Sequence, residues 1–153
     1  MINEPRILTV TPQPLITVRR QARHPELSAV IPTACGVVWS LIRTQGLQGA
    51  GRHIAVYHAN QADPNAPMDL EIGVEFTAPF ANQGEVLATA TPAGKVVTVT
   101  YTGPYAGLRE AHNAIHAWCA SHGHTPSGVS WELYGHWTDD VSKLQTDVFY
   151  LLK

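Results

Sequence analysis

The stretch Lys95–Trp118, KVVTVTYTGPYAGLREAHNAIHAW, decides how the rest of the chain is read. Lys95 to Tyr101 is dominated by β-branched residues and reads as a strand. Gly103-Pro104-Tyr105 turns the chain. From about Ala106 to Ser121 the residues Leu108, Ala111, Ile115, Trp118 and Cys119 recur at three-and-four spacing, which predicts a helix with one packing face. Gly123 stops it. A strand from Trp131 to Trp137, a turn at Thr138-Asp139-Asp140 and a strand from Thr146 to Leu152 follow.

The upstream sequence repeats this order. Ile16 to Arg20 alternates as a strand. Thr33, after Pro32, is expected to cap a helix to about Gln45, with Ala34, Val38, Leu41, Ile42 and Gln45 on one face and Gly46 ending it. His53 to His58 reads as a strand, and Asn60 to Pro67 as a turn. Leu70, Ile72, Val74 and Phe76 then alternate with Glu71, Gly73 and Glu75, a half-buried strand with the glutamates on its solvated side. Residues 1–14 read as a lead-in arm and 24–32 as irregular. Glu85–Thr91 and Lys95–Tyr101 are expected to form a hairpin through Pro92-Ala93-Gly94. The order predicts an α+β fold in a single domain, 1–153. Two β-α-β-β units, about 14–78 and 95–152, share one antiparallel sheet, with both helices on one face and a ligand cleft between them.

Composition narrows the function. The chain has 153 residues, 44% apolar and 14% charged, which excludes a disordered chain. A net charge of −2, with Arg19-Arg20 the only basic pair, argues against a nucleic-acid partner. No apolar run nears the ~20 residues of a membrane span, and the N-terminus lacks the pattern of a signal peptide. The expectation is a cytoplasmic protein without membrane contact. Cys35 and Cys119 cannot make a disulfide framework and read as small core residues. His112, His116 and Cys119 share one helix. No acidic third ligand of a known metal motif accompanies the two histidines, and Cys119 sits on the packing stripe, so they read as structural or surface histidines and no metal is expected there. His122 and His124 fall at the helix end, where a cation favours the dipole. Phosphate-loop, dinucleotide and serine-nucleophile motifs are absent, and no cofactor is expected.

Taken as a group, Tyr101-Thr102-Gly103-Pro104-Tyr105-Ala106-Gly107-Leu108, then Ala114-Ile115-His116-Ala117-Trp118, then Trp131-Glu132-Leu133-Tyr134, then Leu144-Gln145-Thr146-Asp147-Val148 resembles the GyrI-like family. The match runs from about residue 95 to 152; the first half agrees only in the order of its elements. These are small-molecule-binding domains that also serve as effector domains of AraC-type and MerR-type regulators. The resemblance implies a duplicated strand-helix-strand-strand fold that binds lipophilic, often cationic, compounds. It places a buried glutamate, here Glu132, against the ligand among aromatic rings. A DNA-reading domain accompanies many members. These residues are used up by the binding module, so the resemblance is to stand-alone members. Some of those are gyrase-inhibitory, and some hydrolyse cyclopropane-bearing toxins.

Periodicity alone leaves the face of Glu132 open. Glu132, Tyr134 and His136 share one side of their strand, and Trp131, Leu133 and Trp137 the other. The family motif selects the cleft for Glu132. Tyr101, Tyr105, Tyr134 and Tyr150 are candidate ring walls, and Trp39 lies off the main stripe of the first helix. Glu75 is a weaker candidate. The leading expectation is a non-catalytic binder of lipophilic cations. Two alternatives stand beside it. One is a hydrolase in which Glu132 activates water. The other is an interaction module, as a homodimer or as a partner of gyrase or a regulator, with Trp131 and Trp137 as anchors if they face outward.

Overall fold

The computed structural model describes residues 1–153. Eight strands form one antiparallel sheet: β1 (Arg6–Val10), β2 (Pro14–Ala22), β3 (Ala50–His58), β4 (Met68–Phe76), β5 (Leu87–Ala90), β6 (Gly94–Thr102), β7 (Pro126–Tyr134) and β8 (Gln145–Leu152). Two long helices accompany it, α1 (Leu27–Gln45) and α2 (Leu108–His122). The strand order is β1-β6-β8-β7-β3-β4-β2-β5. Read from the β3–β7 pair outward, β4-β2 on one side answers β8-β6 on the other. α1 packs on β2 and β4, α2 on β6 and β8, so β3 and β7 lie beneath the gap between the helices.

Register shows that both helices cover the same face. Ala55 pairs with Glu132 and Ile72, Glu132 with Val148, and Val148 with Val99. Directly paired residues point to one side, so this row runs across the helix-covered face. Beneath α1 it joins a core of Ile16, Val18, Ala34, Val38, Ile42, Ile72 and Val74. Beneath α2 it joins Val97, Val99, Leu108, Ala111, Ile115 and Val148. The other face buries Leu15, Ile54, Val56, Val96, Trp131 and Leu133. Leu15 and Val96 come from opposite wings, so the twisted sheet bends its wings together on that side. Both helices end as expected, on Gly46 at φ 61° and Gly123 at φ 72°, where a side chain would be strained.

Four expectations are corrected. Residues 6–10 are not an irregular arm but β1, which pairs with β6 from Arg6↔Thr98 to Val10↔Gly94. Ile7-Leu8-Thr9-Val10 is a run of strand formers between Pro5 and Pro12, and flanking prolines need not mean loop. α1 begins at Leu27 and carries Pro32 inside it, so Thr33 is not its cap. An interior proline costs about 3 kcal/mol; Leu27, Val30 and Ile31 packed on the core offset that cost. The hairpin across Pro92-Ala93-Gly94 does not form. Thr91 N–H donates to the Gln13 carbonyl at 3.0 Å and Gln13 N–H to Thr91 Oγ1 at 2.8 Å, which fastens β5 to β2 (Ile16↔Ala88). β1 and β5 therefore each edge the wing that the other's neighbour in sequence builds. β7 starts at Pro126 and stops at Tyr134, leaving His136 and Trp137 beyond it. The apolar content of the first helix also exceeds expectation. His24–Gln45 spans 22 residues at a mean hydropathy of 1.4, long and apolar enough to cross a bilayer by length and composition, yet it lies along the sheet with Ala34, Val38 and Ile42 buried.

Candidate functional site

At the centre of the β3–β7 pair, Ala55 faces Glu132. Glu132 is 6% exposed, and its carboxylate sits on the floor of the gap between the helices. Two residues further along each strand stand Tyr57 and Tyr134. Both hydroxyls donate to Glu132 Oε1, at 2.5 Å each. From α2, His112 Nε2 lies 2.6 Å from Oε2, and its Nδ1 lies 2.6 Å from the Tyr150 hydroxyl on β8. A neutral imidazole satisfies both contacts: Nε2–H donates to the carboxylate while Tyr150 O–H donates to Nδ1.

The electrostatics follow from these partners. Burial alone would raise the pKa of Glu132. Hydrogen bonding from His112 and its charge, then the bonds from Tyr134 and Tyr57, outweigh burial and hold the carboxyl below its ordinary value. Desolvation therefore does not leave it raised, because three donors already compensate the charge. Tyr57 and Tyr134 are pushed well up by burial and by the adjacent carboxylate, so both remain protonated donors. Tyr150 is raised for the same two reasons.

Aromatic side chains extend the site both ways. Tyr105, 41% exposed at the start of α2, sets its ring edge to face against Tyr134 at 5.7 Å. Trp39 of α1 is half-buried and donates Nε1–H to His53 of β3. His116, one turn after His112, meets the Tyr150 ring edge-on at 4.9 Å. Tyr134 and Tyr150 thus contact the Glu132–His112 pair directly. Trp39 and Tyr105 flank it, and Tyr101 does not join it. The Tyr101 ring is buried under the start of α2 and its hydroxyl donates to the Pro104 carbonyl at 2.7 Å. A Cβ at Gly107 would come within 2.1 Å of that hydroxyl. The Gly-Pro-Tyr-Ala-Gly motif therefore serves to seat Tyr101 and launch α2.

Other candidates resolve by the same face logic. Trp131 is 3% exposed and stacks on Phe149 on the helix-free side, which removes it as an outward anchor; Trp137 is 67% exposed. Glu75 is on that side too and pairs with Arg52 at 3.1 Å. Cys119 packs in the α2 core. Cys35 is half-buried rather than core, and burial raises its thiol to about 11. No three His, Cys, Asp or Glu side chains gather in a metal-holding arrangement. The sequence reading missed Tyr57 and the role of His112. The signals were present: Tyr57 shares alternation with Ala55, and His112 follows the buried Ala111 on α2. Two surface recesses lie elsewhere, one of about 360 Å³ beside Val37, Leu41 and Val86, one of about 570 Å³ beside Arg23 and Pro64. Glu132 itself is buried.

A family model for the GyrI-like small molecule binding domain matches residues 3–153. No curated protein matches the chain in sequence. Among solved structures, the EcmrR C-terminal domain superposes with a TM-score of 0.79 at 18% identity, over 98% of this chain and 97% of that one. In an EcmrR–DNA complex this chain spans 57% of the longer EcmrR chain, again with a TM-score of 0.79, at 19% identity over 98% of this chain. SAV2435 bound to tetraphenylphosphonium matches with a TM-score of 0.71 at 11% identity, over 99% of this chain and 94% of that one. A hydrolase from Listeria innocua matches with a TM-score of 0.64 at 10% identity, over 98% and 92%. At these identities the likeness is one of fold.

Proposed function

Because the chain belongs to the family of GyrI-like small-molecule-binding domains, we propose that it binds lipophilic organic cations between α1 and α2, with Glu132 as counter-charge. The observation that carries this reading is a buried carboxylate, kept ionised by three donors, on a floor ringed by Tyr57, Tyr134 and Tyr150. Removed from water, a carboxylate attracts a cation more strongly than it would at the surface. The ring faces add cation–π attraction. Each 100 Å² of apolar ligand surface buried against them contributes about 2.5 kcal/mol. That a neighbour in fold carries tetraphenylphosphonium supports the choice of ligand class.

A thermal-shift screen tests this. Tetraphenylphosphonium and other lipophilic cations should raise Tm, and lipophilic anions should not. A rise with anions and none with cations would reverse the assignment.

One observation favours a second reading, hydrolysis. The imidazole–carboxylate pair of His112 and Glu132 is at proton-transfer distance, 2.6 Å, and a structural neighbour is described as a hydrolase. In that reading Glu132 is the catalytic residue that takes a proton from water. Release of a hydrolysed product from a strained-ring electrophile, abolished by Glu132→Gln, would establish it; recovery of unchanged ligand would leave the binder.

A further inference from the structure

We infer that His112 sets the charge of the ligand this site accepts: with its imidazole neutral the site takes a lipophilic monocation, and with its imidazole protonated it takes a neutral ligand of the same shape. This rests on the cation-binding reading and deepens it.

The argument begins with a count of charges around the floor. β7 presents Glu132 and Tyr134, β3 presents Tyr57 and His53, and β8 presents Tyr150. On its own helix His112 has Arg109 one turn before and His116 one turn after. α1 offers Cys35 and, in its exposed last turn, Arg43; Leu27 to Gln45 contains no acid and no histidine. Glu132 is the one carboxylate in the set. Its phenol partners stay neutral, so the pair of Glu132 and His112 carries −1 with a neutral imidazole and zero with an imidazolium.

His112 alone is placed to make that change. It is the histidine that touches the carboxylate, at 2.6 Å. His53 is engaged with Trp39, and His116 meets only the edge of Tyr150. Burial lowers the pKa of both, helped for His116 by the neighbouring His112 charge. Both protonation states of His112 fit its partners, since the Tyr150 hydroxyl can donate to Nδ1 or accept from Nδ1–H. Its side chain is 22% exposed against 7% for Glu132, so the proton that decides the charge exchanges with water at His112. Glu132 is held below the ordinary carboxyl range, so its charge persists from pH 5 to 8.

The sign follows by linkage. A permanent cation favours the neutral imidazole, so its binding lowers the His112 midpoint. Reciprocally, its affinity falls as pH drops, by up to about tenfold per unit below that midpoint. The test uses the full chain with tetraphenylphosphonium, whose charge does not titrate, and neutral triphenylphosphine oxide. The His112 ring resonance, assigned by its loss in His112→Gln, is titrated by NMR with each probe at saturation. Calorimetry gives both dissociation constants from pH 5 to 8. Tetraphenylphosphonium should move the His112 midpoint down and bind more weakly at pH 5 than at pH 8, while the phosphine oxide does neither. A midpoint unmoved by bound tetraphenylphosphonium, or a flat dissociation constant, overturns the inference and leaves the cation-binding reading standing. Binding of the phosphine oxide alone at every pH overturns both.

Discussion

The two wings of the sheet place different residues in matching positions around the central pair. Tyr57 and Tyr134, each two residues past that pair, donate to the same carboxylate oxygen. The buried stripe Ala34, Val38, Ile42 of α1 answers Ala111, Ile115, Cys119 of α2. At the centre the likeness stops. Ala55 of the first wing stands opposite Glu132 of the second, and α2 brings His112 to that carboxylate. The lesson is electrostatic. A floor shared by two wings has room for one buried charge, because like charges directly opposite on neighbouring strands repel. The second wing supplies that charge and its imidazole partner, and the first supplies apolar wall.

The largest way to break this asymmetry is to make the wings alike. Ala55→Glu sets a second carboxylate against Glu132 without a partner and should cost about 3–5 kcal/mol in urea unfolding at pH 7. Burial and the like charge raise the pKa of the new group. The penalty is therefore full at neutral pH and fades as pH falls towards the ordinary carboxyl value of about 4.3. Full tolerance at pH 7 would mean a wet floor. Next come Tyr57→Phe and Tyr134→Phe, each removing one donor from a charged acceptor. Each should lower stability by about 1.5–3 kcal/mol, read from the denaturant midpoint. Near-equal losses would sharpen the equivalence of the wings. The two together should depart from additivity, because they share one oxygen.

A smaller effect lies at acid pH. The Glu132 pKa is lowered in the folded state, so its stabilisation is present above the ordinary carboxyl pKa and is lost as pH falls through the folded value. Glu132→Gln should flatten the stability–pH curve below about pH 4; an unchanged curve would contradict the three-donor account. Smallest is Glu85→Gln. It removes the Arg20–Glu85 pair, 28% and 56% exposed, at the edge of the first wing alone. It should change stability by less than about 1 kcal/mol, and less still in salt.

The fold was legible where periodicity is local. The α2 stripe and the alternation of β4 follow from spacing, and the Gly-Pro-Tyr turn marks the launch of α2. What escaped was decided at long range. The β5 segment looks like a hairpin partner of β6, but Gln13, far away in sequence, holds it against β2. Pro32 reads as a boundary because local chemistry cannot weigh the core packing of Leu27 and Ile31. At the site, the strand pattern gave Glu132 two possible faces, and the motif chose between them. Cross-strand register puts it opposite Ala55 on the helix-covered side. His112 escaped because, with the metal set rejected, helical spacing left it a structural or surface histidine. Its actual partners, Glu132 and Tyr150, belong to strands that only the tertiary fold brings near.

The central claim is that one buried carboxylate gives this site its preference for cations. Isothermal titration of tetraphenylphosphonium and of neutral triphenylphosphine oxide against the native chain and Glu132→Gln tests it most directly. The amide keeps the shape and deletes the charge. Cation binding should weaken by about 1–3 kcal/mol, and the neutral probe should bind the two proteins alike. Equal losses for both probes, or no loss for the cation, would show that Glu132 does not supply the electrostatic selection.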